Sequence, residues 1–400
     1  MKIISAADLQ NLPNLRSLNL SDNYIMQLKS ETFQYNELLQ ALHLNGNPMY
    51  EIQNGTFTSL QNLRVLYLQT NNIRQISNGT FNGLENLFFL RFSTLGHGGA
   101  KIGAFRNLTS LKTIDLSVNE ISVLTNKSFL GLPSLRFLGL TLNRINHISS
   151  GTFRHNPYLR YIRLNFNRLT FISSALCDGP YNMYHLDLSN NNLEEFGIEA
   201  LLNCAHSLEI LNMRRTHIAR ILPANKPMMA IQQVYLGVNY LVNLTINSLS
   251  VFANASRISL YMANINDNSA AALTKLKKIQ DLRLDFNHIS KDFNFSANQN
   301  LLKLNLSHQN LESLSDEKFK GLVKLRTLDV TSNYVSFISK SIFTNFPSLV
   351  EVSLVANRLR AIYRDTFQGN NSCRILHLAS NTIAEIHEDS FSEMSYLEEL

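Results

Sequence analysis

The chain has 400 residues, 44% of them apolar, and a net charge of +6. That apolar share excludes a disordered chain, and the excess of Lys and Arg is spread along the sequence without a basic tail or arm. No window holds the 18 or more apolar residues of a membrane-spanning helix, and residues 1–11 lack the apolar run of a signal peptide.

From the N-terminus onward a nine-place frame recurs. Its clearest copy is Leu63–Asn71, with leucines at the first, fourth and sixth places, Asn at the ninth and Ile73 two places on. The ninth-place Asn stands at 23, 47, 71, 119, 143, 167 and 191, and again at 333, 357 and 381. These gaps are 24 residues or a multiple of it, the mark of a solenoid. The coil at 111–132 reads in full. Alternation over Thr113–Ser117 predicts a strand, with Leu111, Ile114, Leu116 and Ile121 facing inward. Asn119 bonds backbone groups at the turn, having two donors and two acceptor sites for the purpose. A looser segment then returns with Leu124, Phe129 and Leu132 inward.

A Phe ten places after the Asn recurs at 33, 57, 81, 105, 129 and 153, then at 319, 343, 367 and 391. Stacked, these rings predict an aromatic spine under the returning side. Its bulk, against strands about 4.8 Å apart, predicts a curved array with a parallel sheet on its concave face.

Regularity breaks twice. Leu95-Gly96-His97-Gly98-Gly99 replaces the Asn turn of one coil. From Cys177 to about Ala297 the Phe spine is absent, spacing varies, and Thr216 and Ala263 stand at ladder positions; Gln309 stands at the next ladder position after Asn287. The chain therefore divides into regular repeats over 1–176, irregular repeats over 177–297 and regular repeats over 298–400, all in one continuous solenoid. It stops four residues into a further repeat, which predicts an excerpt of a longer chain.

No phosphate loop, zinc-binding His-Glu-x-x-His or nucleophile elbow is present, so the chain reads as no enzyme and implies no cofactor or metal. Ten Asn-x-Ser/Thr sequons, at Asn19, Asn54, Asn78, Asn107, Asn126, Asn243, Asn254, Asn294, Asn305 and Asn370, point to an extracellular glycoprotein. Cys177, Cys204 and Cys373 occupy apolar places. Cys177 and Cys204 either stay buried thiols or bridge neighbouring coils, and sequence leaves both open. Outward aromatic and Arg residues of the regular N-terminal strands, the types enriched in binding hot spots, are the ligand-binding candidates. They are Tyr67, Phe89, Arg91, Phe137, Tyr161, Arg163 and Asn165, with Arg160 on the same strand as Tyr161. Basic spots at Arg214, Arg215 and Arg220 and at Lys275, Lys277 and Lys278 leave nucleic acid open as a partner.

The form Leu-x-x-Leu-x-Leu-x-x-Asn-x-Leu-x-x-Leu-x-x-x-x-Phe-x-x-Leu, matched at 111–132 and 325–345, resembles the typical extracellular leucine-rich repeat, over residues 12–400. Regular arrays flanking an irregular middle are similar to Toll-like receptor ectodomains, and also to adhesion proteins of the repeat class. The resemblance implies an α/β solenoid, a leucine-rich repeat horseshoe with short helical segments on the convex side. It implies recognition of a protein or microbial ligand on the concave or lateral face, receptor dimerisation and an innate-immune role. The implied location is the cell surface, as the ectodomain of a single-pass membrane protein, with an endosomal location as the alternative. Membrane attachment would need a segment absent from this chain.

Overall fold

The computed structural model describes residues 3–73, 76–93, 104–289, 293–340, 342–369 and 371–400. The chain forms the expected parallel-strand solenoid with few helices. It divides into two compact units, Met1–Asn192 with Glu199–Leu208, and Leu193–Ile198 with Glu209–Leu400.

In the first unit each coil contributes one three-residue strand, paired in parallel with the next. Thr113–Asp115 pairs with Phe89–Arg91 on one side and with Phe137–Gly139 on the other. The strands are shorter than the alternation over 113–117 predicts. The regular strand covers only the residues around the fourth place, although backbone bonds to the next coil continue through Leu116 to Val118, the residue of positive φ at which the chain turns. Leu111, Ile114, Leu116 and Ile121 are buried as expected. The Asn ladder closes the turn: Asn119 Nδ2 donates to the carbonyls of Leu116 in its own coil and Phe92 in the coil before, at 2.8 and 3.1 Å.

The return side carries a second set of short parallel strands that the apolar pattern did not reveal. Val123–Leu124 pairs with His147–Ile148, and Ile3–Ile4, Gln27–Leu28 and Glu51–Ile52 form a three-stranded sheet. Two residues give no measurable period. Isolated buried amides on the return side were also missed. Asn36 donates to the Leu9 and Leu12 carbonyls and Asn156 to those of Phe129 and Leu132, each Asn three places after a spine Phe.

The spine forms. Phe33, Phe57 and Phe81 stack at 6.3 and 6.2 Å, and Phe129 on Phe153 at 5.5 Å. Each ring leaves water and stabilises its coil by roughly 1.5–3 kcal/mol. The first unit also holds a disulfide between Cys177 and Cys204, both buried, while Cys373 in the second unit is a buried thiol whose Sγ donates to the Ile375 carbonyl at 3.3 Å.

The second unit repeats the plan with variations. Its return side includes 3-10 turns such as Ser248–Phe252 and Ile342–Asn345. The aromatic spine extends further back than the sequence reading placed it: fully buried Phe295 stacks on Phe319 at 6.3 Å, and Phe252 stacks on Phe196 at 5.5 Å. Phe295 lies eight places after Asn287 rather than ten, because its coil is shorter, so the fixed spacing missed it. The ladder substitutes are supported by their neighbours. Asn287 Oδ1 accepts from the N–H groups of Ala263 and Ile265, and Asn239 Oδ1 from those of Thr216 and Ile218. Gln309, one methylene longer, spans its turn directly, accepting from the Ile289 N–H and donating to the Leu284 carbonyl. The break at Leu95–Gly99 and the sequon at Asn370 lie outside the described residues.

Candidate ligand-recognition surface

The outward rows of the first unit's sheet bring the sequence candidates into two groups. In the first, Tyr67 stacks on His43 at 4.7 Å and lies 5.1 Å from Phe89, while Arg91 Nε pairs with Asp115 at 3.2 Å. Thr113 then interrupts the row. In the second, Tyr161 is centred 6.4 Å from Phe137 and 5.5 Å from Tyr184. The Arg163 guanidinium lies over the Phe137 ring at 5.2 Å. The parallel register makes these contacts inevitable, because Phe137, Tyr161 and His185 are direct partners across three strands.

Arg160 needs a correction. The strand is Tyr161–Arg163, and Arg160 precedes it, with its guanidinium over the Tyr184 ring at 5.7 Å. Asn165 accepts a hydrogen bond from the Thr141 hydroxyl at 2.7 Å, so its oxygen is engaged within the scaffold. His43, Tyr184 and His185 were not among the sequence candidates. Reading the second, third and fifth places of every coil, rather than only the most prominent ones, would have found them.

Gly139 sits between Asp115 and Arg163 in this register. A Cβ there would come 2.6 Å from Asp115 Oδ1, so glycine leaves a gap in the outward row beside the Arg163 cluster. Burial pushes the His185 imidazole below its ordinary value, opposed by the Asp187 carboxylate and aided by Arg163. The second unit differs. Two of its outward arginines are neutralised by carboxylates, Arg257 with Asp281 at 2.8 Å and Arg283 with Asp285 at 3.1 Å, while Arg214 lies over the Tyr235 ring at 4.7 Å. The nearby Asp281 charge, foremost, raises the Arg257 value. Arg160 and Arg163, by contrast, have no carboxylate partner among the described residues. On the return side of the second unit a hollow of about 480 Å³ lies among Phe337, Leu359, Ala361 and Tyr363, lined also by the Lys340–Asp365 ion pair.

The sequons divide by environment. Asn19, Asn54, Asn78, Asn107, Asn126, Asn243 and Asn294 are exposed. Asn254 and Asn305 are half-buried, with the Nδ2 that a glycan would occupy donating to the Met228 carbonyl and to Asp329. In three sequons the hydroxyl residue belongs to the scaffold. Thr56, Thr80 and Ser128 are buried ahead of the spine Phe, and the latter two accept from the backbone three residues back. Thr32 and Thr152 hold the same place without a sequon.

Leucine rich repeat profiles match residues 14–36, 39–93, 99–145, 138–193, 299–359 and 347–400, more than half of the chain. The chain belongs to the leucine-rich repeat family. Among curated relatives, human lumican is 33% identical over 171 residues, 42% of this chain and 49% of lumican. Rat osteomodulin is 27% identical over 176 residues, 43% of this chain and 41% of osteomodulin. Mouse Toll-like receptor 9 is 31% identical over 93 residues, 23% of this chain and 9% of that receptor. The chain thus spans less than half the length of each. Two solved structures share the fold over the whole chain. One is a leucine-rich repeat protein of Leptospira interrogans (TM-score 0.65, 21% identity, all of that chain covered). The other is TLR13 in the TLR13–ssRNA13 complex (TM-score 0.55, 23% identity, 64% of that chain covered). Among the described residues no helix is long and apolar enough to cross a membrane, and no group of His, Cys, Asp and Glu could hold a metal ion.

Proposed function

We propose that this repeat protein is the extracellular ligand-recognition module of a cell-surface receptor, non-catalytic, of the Toll-like kind, acting in innate recognition of a microbial or protein ligand and dimerising when bound. One observation carries the reading: Phe137, Tyr161 and Arg163 stand together on the outward side of a parallel sheet, with the arginine charge unpaired by any carboxylate among the described residues. Aromatic and Arg side chains fixed on rigid strands lose little entropy on binding and dominate interface energies. The fold shared with TLR13 and the stretch similar to Toll-like receptor 9 support the receptor class. The seven exposed sequons support an extracellular location. The alternative, a cell-adhesion or matrix repeat protein without a signalling role, draws on the similarity to lumican and osteomodulin.

The test is surface plasmon resonance of the secreted chain against bacterial lipopeptide, lipopolysaccharide and single-stranded RNA. At least one should bind, and Tyr161→Ala and Arg163→Ala should each weaken it about tenfold, roughly 1.4 kcal/mol, with circular dichroism unchanged. No binding across the panel would favour the adhesion reading. Binding indifferent to both substitutions would remove this cluster as the site.

A further inference from the structure

The second place of each coil in the first unit forms an edge row that the recognition cluster does not explain. Five of its residues are cations: Arg16, Arg64, Lys112, Arg136 and Arg160. Gln40 and Phe88 fill the gaps, and Tyr184 ends the row. Backbone bonds stack these residues directly. The Gln40 N–H donates to the Arg16 carbonyl at 2.7 Å, and Arg64 donates to Gln40 and Phe88 to Arg64, each at 2.8 Å. Lys112 donates to Phe88 at 3.0 Å, Arg136 to Lys112 at 2.8 Å and Arg160 to Arg136 at 2.9 Å. At about 4.8 Å per coil, the five charges run along some 29 Å of edge.

These cations repel one another, and no ion pair among the described residues offsets the repulsion. None of the five has a carboxylate partner among the described residues, and the four arginines are exposed. Glu37 and Glu85 lie three places before the row residue of their coils, and Asp115 and Asp187 three places after it, Asp115 being paired with Arg91, so the row stays net positive. The second unit serves as an internal comparison. There the same place holds Glu209, Gln232, Ser256, Gln280, Leu302 and Val350, and of its two arginines Arg374 is paired with Glu398, which leaves Arg326 as a single cation between two apolar residues. A coil does not therefore require a cation at this place.

We infer that this edge is a binding site for a linear polyanion of the sulfated polysaccharide class. Arg forks match the oxygens of a sulfate group, and a straight line of point charges on a fixed pitch suits a chain carrying anions along its length. The two aromatic residues in the row argue against nucleic acid. Binding of single strands relies on ring faces open to the bases. Here Lys112 Nζ lies over the Phe88 ring at 4.6 Å and Arg160 over the Tyr184 ring at 5.7 Å, so cations occupy a face of each ring. The cations also hold their own positions by these contacts, which fixes the direction in which they present charge.

The test uses Arg64→Ala/Lys112→Ala/Arg136→Ala, which spares every residue of the Phe137–Tyr161–Arg163 cluster, with Lys275→Ala/Lys277→Ala/Lys278→Ala as a control of equal charge. Heparin, fully desulfated heparin, poly-uridine and poly-glutamate are titrated at several salt concentrations. The row variant should bind heparin at least tenfold more weakly and with a shallower salt dependence, the control should match the unaltered chain, and desulfated heparin should not bind. Equal losses in both variants, or none in the row variant at unchanged circular dichroism, would overturn the site. Binding of poly-uridine or poly-glutamate as tight as heparin, and lost with the row, would overturn the sulfated-sugar class. Failure of the microbial panel leaves this test unaffected, because the two surfaces are altered by different substitutions.

Discussion

The side-chain oxygen of Asn143 accepts a hydrogen bond from the backbone N–H of Ile121 in the preceding coil, at 3.1 Å. The same side chain donates to the Leu116 and Leu140 carbonyls, both at 3.0 Å. One amide therefore satisfies three backbone groups on two coils, which is why Asn recurs where the strand ends. Asn143→Ala would leave buried polar groups short of partners, at a cost of about 3 kcal/mol. Asn23 is exposed and bonds only within its own coil, to Leu20 and Ser21, so Asn23→Ala should cost under about 1 kcal/mol. Urea unfolding of both variants checks the difference, and equal losses would contradict this division of roles.

Val118 turns the chain with φ at +59° and an exposed side chain, where Asp22 and Asn190 do the same in their coils. A β-branched residue is strained there, whereas Asn tolerates it. Val118→Asn should therefore raise stability by about 1 kcal/mol, read from the denaturation midpoint. A loss would mean that Val118 makes a contact worth more than the strain.

Cys177 and Cys204 close a loop with a sequence separation of 27. In the chain-entropy treatment such a cross-link stabilises by about 3.5 kcal/mol. Adding reductant should lower the stability of the unaltered chain and leave a Cys177→Ala/Cys204→Ala variant where it was. A reductant effect that persists in the double variant would point to another cause.

His185 is pushed below its ordinary value of 6.5 chiefly by burial, facing the Tyr161 ring with Asp187 and Arg163 nearby. The folded chain then binds fewer protons here than the unfolded one. Stability from this group is full above pH 6.5 and is lost as pH falls through the lowered folded value. Between pH 7.5 and 5 the unaltered chain should lose more stability than His185→Gln. Parallel curves would show that His185 titrates alike in both states.

The place-by-place logic of one coil was legible without any structure. Leu111, Ile114, Leu116 and Phe129 are buried where the frame puts them, and Asn119 bonds the turn. Less legible was whatever depended on a variable spacing. Phe295 joins the spine from a shortened coil, and Asn287 supports the turn at Ala263, where no ladder Asn exists. Phe295 stands eight places after its ladder Asn instead of ten, so the Asn-to-Phe offset passes over it, and the place of Asn287 in the frame does not say that it serves the coil before its own, because that match is made in space.

The sequence by itself determined the solenoid: local spacing of leucine, asparagine and phenylalanine decides what each coil buries, and every coil meets only its neighbours. The tertiary structure decided which outward residues act together. Parallel register sets Tyr161 beside Phe137 and His185, lays Arg163 over a ring and lines Arg16 to Arg160 along one edge, although successive members are about two dozen residues apart in the chain. Side-chain neighbours across strands follow from hydrogen-bond pairing, and a pattern read along the chain has no term for it.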